Sequence, residues 1–364
     1  MSVITSIETA LPDYKHKQID ISGFMSDLLQ NPEQGREKLR ALYVKSGIDT
    51  RYSVLPDFSL ATNKRTFFDK GKGKDPSLEY RMKLYTDNAL KLSLKAIKKC
   101  IIGNIKHKDI SHIITVSCTG LYAPGLDIDI IQSLKLDENI SRTSVNFMGC
   151  YAAIHAFKQA DAICTSNKNA VVLIVCAELC TIHFQKKEDI DNITANLLFA
   201  DGVGAAVIVG DNIAKKKKLH GFGIKNFHSQ VELKGKADMA WQISSTGFLM
   251  TLSRYVPQLI ESGIKSLFNK AIRKLNIKQG DITHWAIHPG GKKILSVIQK
   301  ELKLKDSDIS SSRKVLKDYG NMSSSTVLFV LKDIMDKKAK LNDLTYCVAF
   351  GPGLTMESVI LKNV

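Results

Sequence analysis

The sequence predicts an α/β protein. Three observations lead there: short β-branched apolar runs of strand length, amphipathic stretches of helical period between them, and a strand–glycine turn–helix arrangement in each half of the chain. The runs are 112–117 (HIITVS), 170–177 (AVVLIVCA), 203–210 (VGAAVIVG), 284–288 (HWAIH) and 345–350 (TYCVAF), each bounded by Gly, Pro or polar residues. Continuous apolarity, rather than alternation, marks strands covered on both faces. Residues 78–100 carry the clearest helical pattern, with Tyr85, Ala89, Leu92 and Ala96 on one face and lysines on the other. Segments 256–275 and 323–336 repeat it. The polar segment 211–219 (DNIAKKKKL) reads as the connector between two halves, 1–214 and 215–364, in which HIITVSCTG and HWAIHPGG occupy equivalent places. Residues 52–75, rich in Lys, Asp and Gly, are expected to form a surface loop.

Composition narrows the function. The chain has 364 residues, 44% of them hydrophobic, enough for two packed units. No apolar run reaches the roughly 18 residues of a membrane span, and residues 1–5 (MSVIT) lack the order of a secretory signal, so a cytoplasmic protein without integral membrane association is expected. The net charge of +16 fits either a solvated lysine-rich surface or one that draws polyanions such as nucleic acid, lipid or coenzyme A phosphates. The lysines are dispersed, and no zinc-finger spacing, RNP-like motif or basic heptad helix occurs, which argues against nucleic acid. Seven cysteines, an odd number without a CxxC pair, point to free thiols in a reducing compartment and away from disulfides or a metal site.

Four segments could carry chemistry. In 146–156 (NFMGCYAAIHA) a glycine precedes Cys150 and a small-residue helical stretch follows, which delivers a thiol to a helix N-terminus where a thiolate is stabilised. The pattern fits a nucleophile that takes an acyl group from a thioester, and equally a small core cysteine. In 285–291 (WAIHPGG) a strand ends in His288 before a Pro-Gly-Gly turn, at the sheet edge where α/β folds place their sites. In 319–326 (YGNMSSST) Asn321 opens a helix, either as part of a polar N-terminus or as an amide donor to an oxyanion. In 350–358 (FGPGLTMES) two glycines around a proline form a turn that lets backbone approach a site wall.

Together, in this order, these segments resemble the type III polyketide synthases, the chalcone-synthase-like family. Residues 45–52 (KSGIDTRY) and 198–202 (LFADG) add to the match. The resemblance implies a thiolase-like fold of five αβαβα layers in two related halves, a homodimer, and a coenzyme A tunnel that ends in a buried cavity. It implies that Cys150 accepts the starter acyl group. His288 would hold Cys150 as thiolate and, with Asn321, stabilise the malonyl-derived enolate and the condensation oxyanion. Phe199 would stand at the junction of tunnel and cavity, and Lys38 and Lys45 would meet coenzyme A phosphates. Acyl-CoA and malonyl-CoA are then the substrates, with no metal, flavin or nicotinamide cofactor, and the product is a cyclised pyrone, resorcinol or phloroglucinol.

The chain also departs from the family pattern. Met250 stands where plant enzymes place a second gate phenylalanine, Ala41 where an arginine is usual in the coenzyme A site, and Ala123 where a methionine crosses from the partner subunit. Cys180 and His183 replace cavity-wall threonines, with Thr119, Ala195 and Gly353 assigned to the same wall. Cys118 replaces a threonine in a hydrogen-bond network linking Glu178 and Ser323. Residues 178–184 (ELCTIHF) resemble bacterial members, some of which accept fatty acyl starters. Two other readings stay open: a single-round β-ketoacyl synthase of the fatty-acid type, and a thiolase-fold binding subunit without catalysis.

Overall fold

A computed structural model describes residues 1–68, 75–101, 105–337 and 339–364. Nine strands form one mixed sheet: β1 (Val3–Ala10), β2 (His112–Ser117), β3 (Ser141–Asn146), β4 (Val171–Leu179), β5 (Asp201–Val209), β6 (Phe222–Val231), β7 (Ile282–Ile287), β8 (Leu344–Gly351) and β9 (Thr355–Asn363). Their order is β7-β8-β9-β6-β1-β5-β4-β2-β3. Without the edge strand β3, the two halves of that order are equivalent. β2 runs parallel to β4, which pairs antiparallel with β5, which pairs antiparallel with β1. Likewise β7 runs parallel to β8, followed by antiparallel β9 and β6. The half-sheets join where Val3 and Ile4 pair with Gly223 and Phe222 and the Ile224 N–H donates to Ser2 O at 3.0 Å.

Helices complete the layers. α1 (Leu78–Cys100) packs on the outer face of β1, β4 and β5, and α3 (Val256–Arg273) on the outer face of β6 and β9. Between the two half-sheets lie α2 (Ala152–Ser166) and α4 (Thr326–Asp336), which touch strands of both halves. Ala152, Ala153, Ala156 and Ala160 leave α2 slim enough for this middle layer, where Phe157 and Leu328 are fully buried. The result is the αβαβα architecture of a thiolase-like fold. β4 and β5 are buried at every position, which explains their unbroken apolarity.

The segment 211–219, expected as the connector between the halves, is helical over Asp211–Lys217, with Lys215 paired to Asp211 at 2.6 Å and Lys217 to Asp109 at 2.7 Å. The segment 52–75 is not simply a surface loop. Phe58, Phe67 and Phe68 are buried, and the buried Asp57 carboxylate accepts the N–H groups of Phe67 and Phe68 at 2.9 and 3.0 Å. Residues 69–74 of that stretch lie outside the described residues. Strands β1, β3, β6 and β9 carry too many polar residues to be read as apolar runs; β3 is exposed at five of its six positions.

Candidate active site

The nucleophile candidate sits on a turn that few residues could make. Gly149 has φ +97°, and a Cβ there would lie 2.3 Å from Pro352 Cδ, so the position demands glycine twice over. The Gly149 N–H donates to Cys118 Sγ at 3.0 Å. The turn sets Cys150 two residues before the first residue of α2, half-buried in the wall of a cavity of about 330 Å³.

His288 and Asn321 reach the same cavity from the other half of the chain. His288 extends β7 by one residue, its N–H donating to Val348 O at 2.8 Å. Its side chain is buried, and neither ring nitrogen has a hydrogen-bond partner among the described residues. Asn321 is anchored through its backbone: its N–H donates to Leu198 O at 2.9 Å, and its carbonyl accepts from Ala200 N at 2.8 Å. The same two bonds hold Phe199 beside it. The Asn321 side-chain oxygen accepts from Ser323 N at 2.9 Å and Thr326 Oγ1 at 3.3 Å. Its Nδ2 donates one long bond, 3.5 Å, to Gly290 O, so its donor capacity is largely unspent.

Burial dominates the electrostatics. It holds the His288 imidazole at about 3, so the ring is neutral near neutral pH. It pushes the Cys150 thiol up to about 12, against the opposing pull of the nearby polar side chains of Ser323 and Asn321. Burial thus favours the uncharged form of each group. Glu178, fully buried behind Cys118, has its carboxyl raised by burial, and it accepts the Cys118 N–H at 3.0 Å, the Thr119 hydroxyl at 2.8 Å and the Ser324 hydroxyl.

Other expected residues divide. Phe199, Met250, Cys118, Thr119, Cys180, Ser323 and Lys45 line the main cavity. The Glu178 network differs from expectation: Ser324, not Ser323, bonds the carboxylate, and Cys118 enters through its backbone N–H while its sulfur holds Gly149. His183 and Ala195 line a separate pocket of about 20 Å³ instead. His183 is fully committed: Nδ1 accepts the Phe248 N–H at 3.1 Å, so Nε2 carries the proton and donates to Thr119 O at 2.7 Å. The ring stacks on Phe248 at 4.2 Å. Lys38 is exposed and does not line the cavity, nor does Gly353, although Phe350 and Pro352 do. Ala123 is exposed and lies outside both pockets.

Sequence reasoning missed Trp241, Arg254, Lys292 and Lys293, all on the cavity wall. Trp241 borders both pockets, pinned by a 2.6 Å bond from Nε1 to Cys118 O and set edge-on to His183 and Phe248. A signal existed. Met239–Ser244 and Gly247–Leu252 form a hairpin in which Trp241 pairs directly with Met250, a residue already singled out. Reading that hairpin would have placed Trp241 on the same wall.

A thiolase-like layered fold that gathers a cysteine, a histidine and an asparagine around one cavity belongs to the acyltransferase class built on that fold. Comparison with known proteins narrows the class. Residues 1–212 match the family model for the N-terminal domain of chalcone and stilbene synthases, and residues 226–364 that for the C-terminal domain. The chain belongs to the chalcone and stilbene synthase family, the type III polyketide synthases. The "Alpha-pyrone synthesis polyketide synthase-like Pks18" of Mycobacterium tuberculosis is 29% identical over 99% of this chain and 91% of its own length. The crystal structure of PKS-I from the brown alga Ectocarpus siliculosus is similar with a TM-score of 0.90, 28% identity, and coverage of 100% of this chain and 98% of that one. The C-terminal type III polyketide synthase domain of Steely1 from Dictyostelium gives 0.87 and 26%, covering 100% of this chain and 99% of that one.

Proposed function

We propose that this enzyme loads an acyl-CoA starter onto Cys150 and extends it with malonyl-CoA by decarboxylative condensation. The observation that carries the reading is the convergence of Cys150, His288 and Asn321 on one cavity, with both His288 ring nitrogens and most of the Asn321 amide donor capacity unspent. In loading, Cys150 Sγ bonds to the thioester carbonyl carbon as its proton passes to the His288 ring. The tetrahedral adduct expels the coenzyme A sulfur, which takes that proton back. In extension, malonyl-CoA loses CO2 and the electron pair of the broken C–C bond becomes a thioester enolate. Its oxygen accepts from a His288 N–H and from Asn321 Nδ2. The enolate carbon attacks the acyl carbonyl, and Cys150 leaves as thiolate from the collapsing adduct. A neutral imidazole suits both steps, because it can take a proton in the first and donate a hydrogen bond in the second.

The wall favours an aliphatic starter. Ile190, Leu197, Leu198, Met239, Met250 and Leu252 line the cavity beside the thiol. The relative named for α-pyrone synthesis makes a cyclised pyrone the first product to seek, ahead of a resorcinol or phloroglucinol. A homodimer is part of the reading. Ala123 lies exposed and away from its own cavity, available to a second subunit, and the exposed edge strand β3 offers an unpaired ladder. The test combines intact-protein and product mass spectrometry with malonyl-CoA and a panel of acyl-CoA starters. The wild type should gain the acyl mass and release polyketides, and Cys150→Ala should do neither. A Cys150→Ala enzyme that still extends starters at the wild-type rate would remove the nucleophile from the scheme.

A further inference from the structure

In 45–52 (KSGIDTRY), Lys45 and Ser46 line the main cavity, but Arg51 does not. Arg51 lies on the strand Thr50–Ser53, which pairs antiparallel with Tyr14–Lys17 and so brings the next residue, Gln18, to its side. Both side chains are buried, at 1% and 4% exposure, and neither lines a pocket. Arg51 Nε donates to Gln18 Oε1 at 2.8 Å. No salt bridge joins the guanidinium to a carboxylate among the described residues, and burial lowers its pKa only to about 10, so it stays charged at neutral pH. A buried cation without a carboxylate needs another source of negative charge.

The helix Ile190–Leu198 supplies it, because a helix ends in carbonyls that have no partner within it. Ala195 O accepts the Phe199 N–H, and every carbonyl after it is taken by a group from elsewhere in the chain. Arg51 Nη1 donates to Asn196 O at 2.7 Å and to Phe199 O at 2.6 Å, and Gln18 Nε2 donates to Leu197 O at 2.9 Å. The remaining carbonyl, Leu198 O, accepts the Asn321 N–H at 2.9 Å. The cation also complements the negative end of the helix dipole. The stem of Arg51 packs on the other side of the same junction. A Cβ on Gly320, where φ is +73°, would lie 2.9 Å from Arg51 Cγ and 3.1 Å from Leu198 O. The residues just before Arg51 tie down the helix Ser310–Tyr319 that leads into Gly320: the Asp49 N–H donates to Lys317 O at 2.8 Å, and the Thr50 hydroxyl to Asp318 O at 2.6 Å.

We infer that Gln18 and Arg51 are positioning residues for the extension step: from outside the cavity they hold the frame on which Phe199 and the Asn321 amide are set. This rests on the proposed decarboxylative condensation. The pair acts on one side of the site only. Phe199 and Asn321 hang on the carbonyls of residues 196–199, whereas Cys150 is aimed by the Gly149 turn with its bond to Cys118, and His288 by its bond to Val348 O. Loading uses Cys150 and His288, and only the enolate calls on Asn321 Nδ2. Loosening the frame therefore separates the two half-reactions. A residue that merely supports the fold would lower both together.

The test uses Gln18→Leu, which removes the bond to Leu197 O at nearly unchanged volume, and Arg51→Lys, which keeps the charge but not the planar fork. Asn226→Ala is the control, because Asn226 Nδ2 makes the same kind of bond, to Ala271 O in the last turn of α3 at 3.0 Å, away from the cavity. Mass spectrometry reads the half-reactions separately. Loading is the acyl mass the protein gains from octanoyl-CoA. Decarboxylation is the acetyl-CoA released from malonyl-CoA without a starter, formed as the enolate takes a proton from water. Decarboxylation should fall about 10-fold in Gln18→Leu and about 100-fold in Arg51→Lys, while loading stays within about threefold of wild type in both. Hydrogen exchange needs no turnover: segments 196–200 and 319–323 should exchange about 10-fold faster in Gln18→Leu, and segments 146–152 and 284–290 at the wild-type rate. Loading and decarboxylation that fall in equal proportion would overturn the inference. So would a separation matched by Asn226→Ala, or unchanged decarboxylation in both variants. A wild type that neither loads nor decarboxylates would count against the proposed function. Faster exchange confined to the two named segments would still uphold the frame, and faster exchange spread over the chain would overturn it.

Discussion

Acidification should weaken this fold through His183, by an amount that follows from its surroundings. The ring is buried and stacked on Phe248, and both nitrogens are committed to backbone groups, Nε2–H to Thr119 O and Nδ1 to the Phe248 N–H. A second proton has no acceptor there, and burial lowers the folded-state pKa from 6.5 to about 3. Between those values the unfolded chain binds a proton that the folded chain refuses. Stability therefore falls as pH drops below about 6.5 and keeps falling toward 3. Each pH unit in that window costs about 1.4 kcal/mol, so going from pH 7 to pH 5 should remove about 2 kcal/mol through this residue alone. The assay is urea unfolding, followed by tryptophan fluorescence, of wild type and His183→Gln at both pH values. The variant is less stable at pH 7, but its loss on acidification should be about 2 kcal/mol smaller. Differences elsewhere cancel, including the opposite contribution of Asp201, whose carboxyl burial raises to about 6. Equal losses for the two proteins would mean that His183 is protonated, or reached by water, in the folded state.

Gly149→Ala should leave the fold standing and disable the site. Its φ of +97° costs a non-glycine residue about 1–2 kcal/mol, and the 2.3 Å approach to Pro352 must push Cys150 out of line, so acyl loading should fall about 100-fold or more in stopped-flow assays; wild-type loading would show that the turn does not aim the thiol. Trp241→Ala should join the two pockets and move starter preference toward longer acyl chains, at a stability cost of about 3 kcal/mol. An unchanged chain-length profile in competition assays would mean that Trp241 is not the partition.

What the sequence disclosed follows from what is periodic or chemically distinctive. α1 was legible because its apolar stripe is a local signal, and the structure adds the N-terminal cap, where Ser77 Oγ accepts the Tyr80 N–H at 3.2 Å. The glycine before Cys150 and the strand ending in His288 were legible for the same reason. The polar strands were not, because β1 draws its stability from neighbours about 200 residues away in β5, a relation no local window contains. Side-chain direction was the second blind spot. Nothing in 178–184 (ELCTIHF) reveals that Cys180 faces the cavity while His183 turns away to Phe248. Nor does sequence tell that Ser324, not its neighbour Ser323, meets Glu178, since Ser323 adopts a φ of +49° that redirects the chain between them.

The middle layer has a consequence for how such enzymes can be altered. Ala153 and Phe157 of α2 and Leu328 and Leu331 of α4 belong to one buried cluster, and the thiol comes from one half while the imidazole and amide come from the other. Neither half can shed the other without exposing that cluster to water, so the chain should unfold as one cooperative body. Exchanging a half between relatives would preserve every motif and still fail unless the inner faces of α2 and α4 were exchanged as a matched pair. Changes to the hairpin that carries Trp241 and Met250 face no such condition, because its two-stranded sheet stands apart from the main one. Product range can drift there while the chemistry stays locked at the seam.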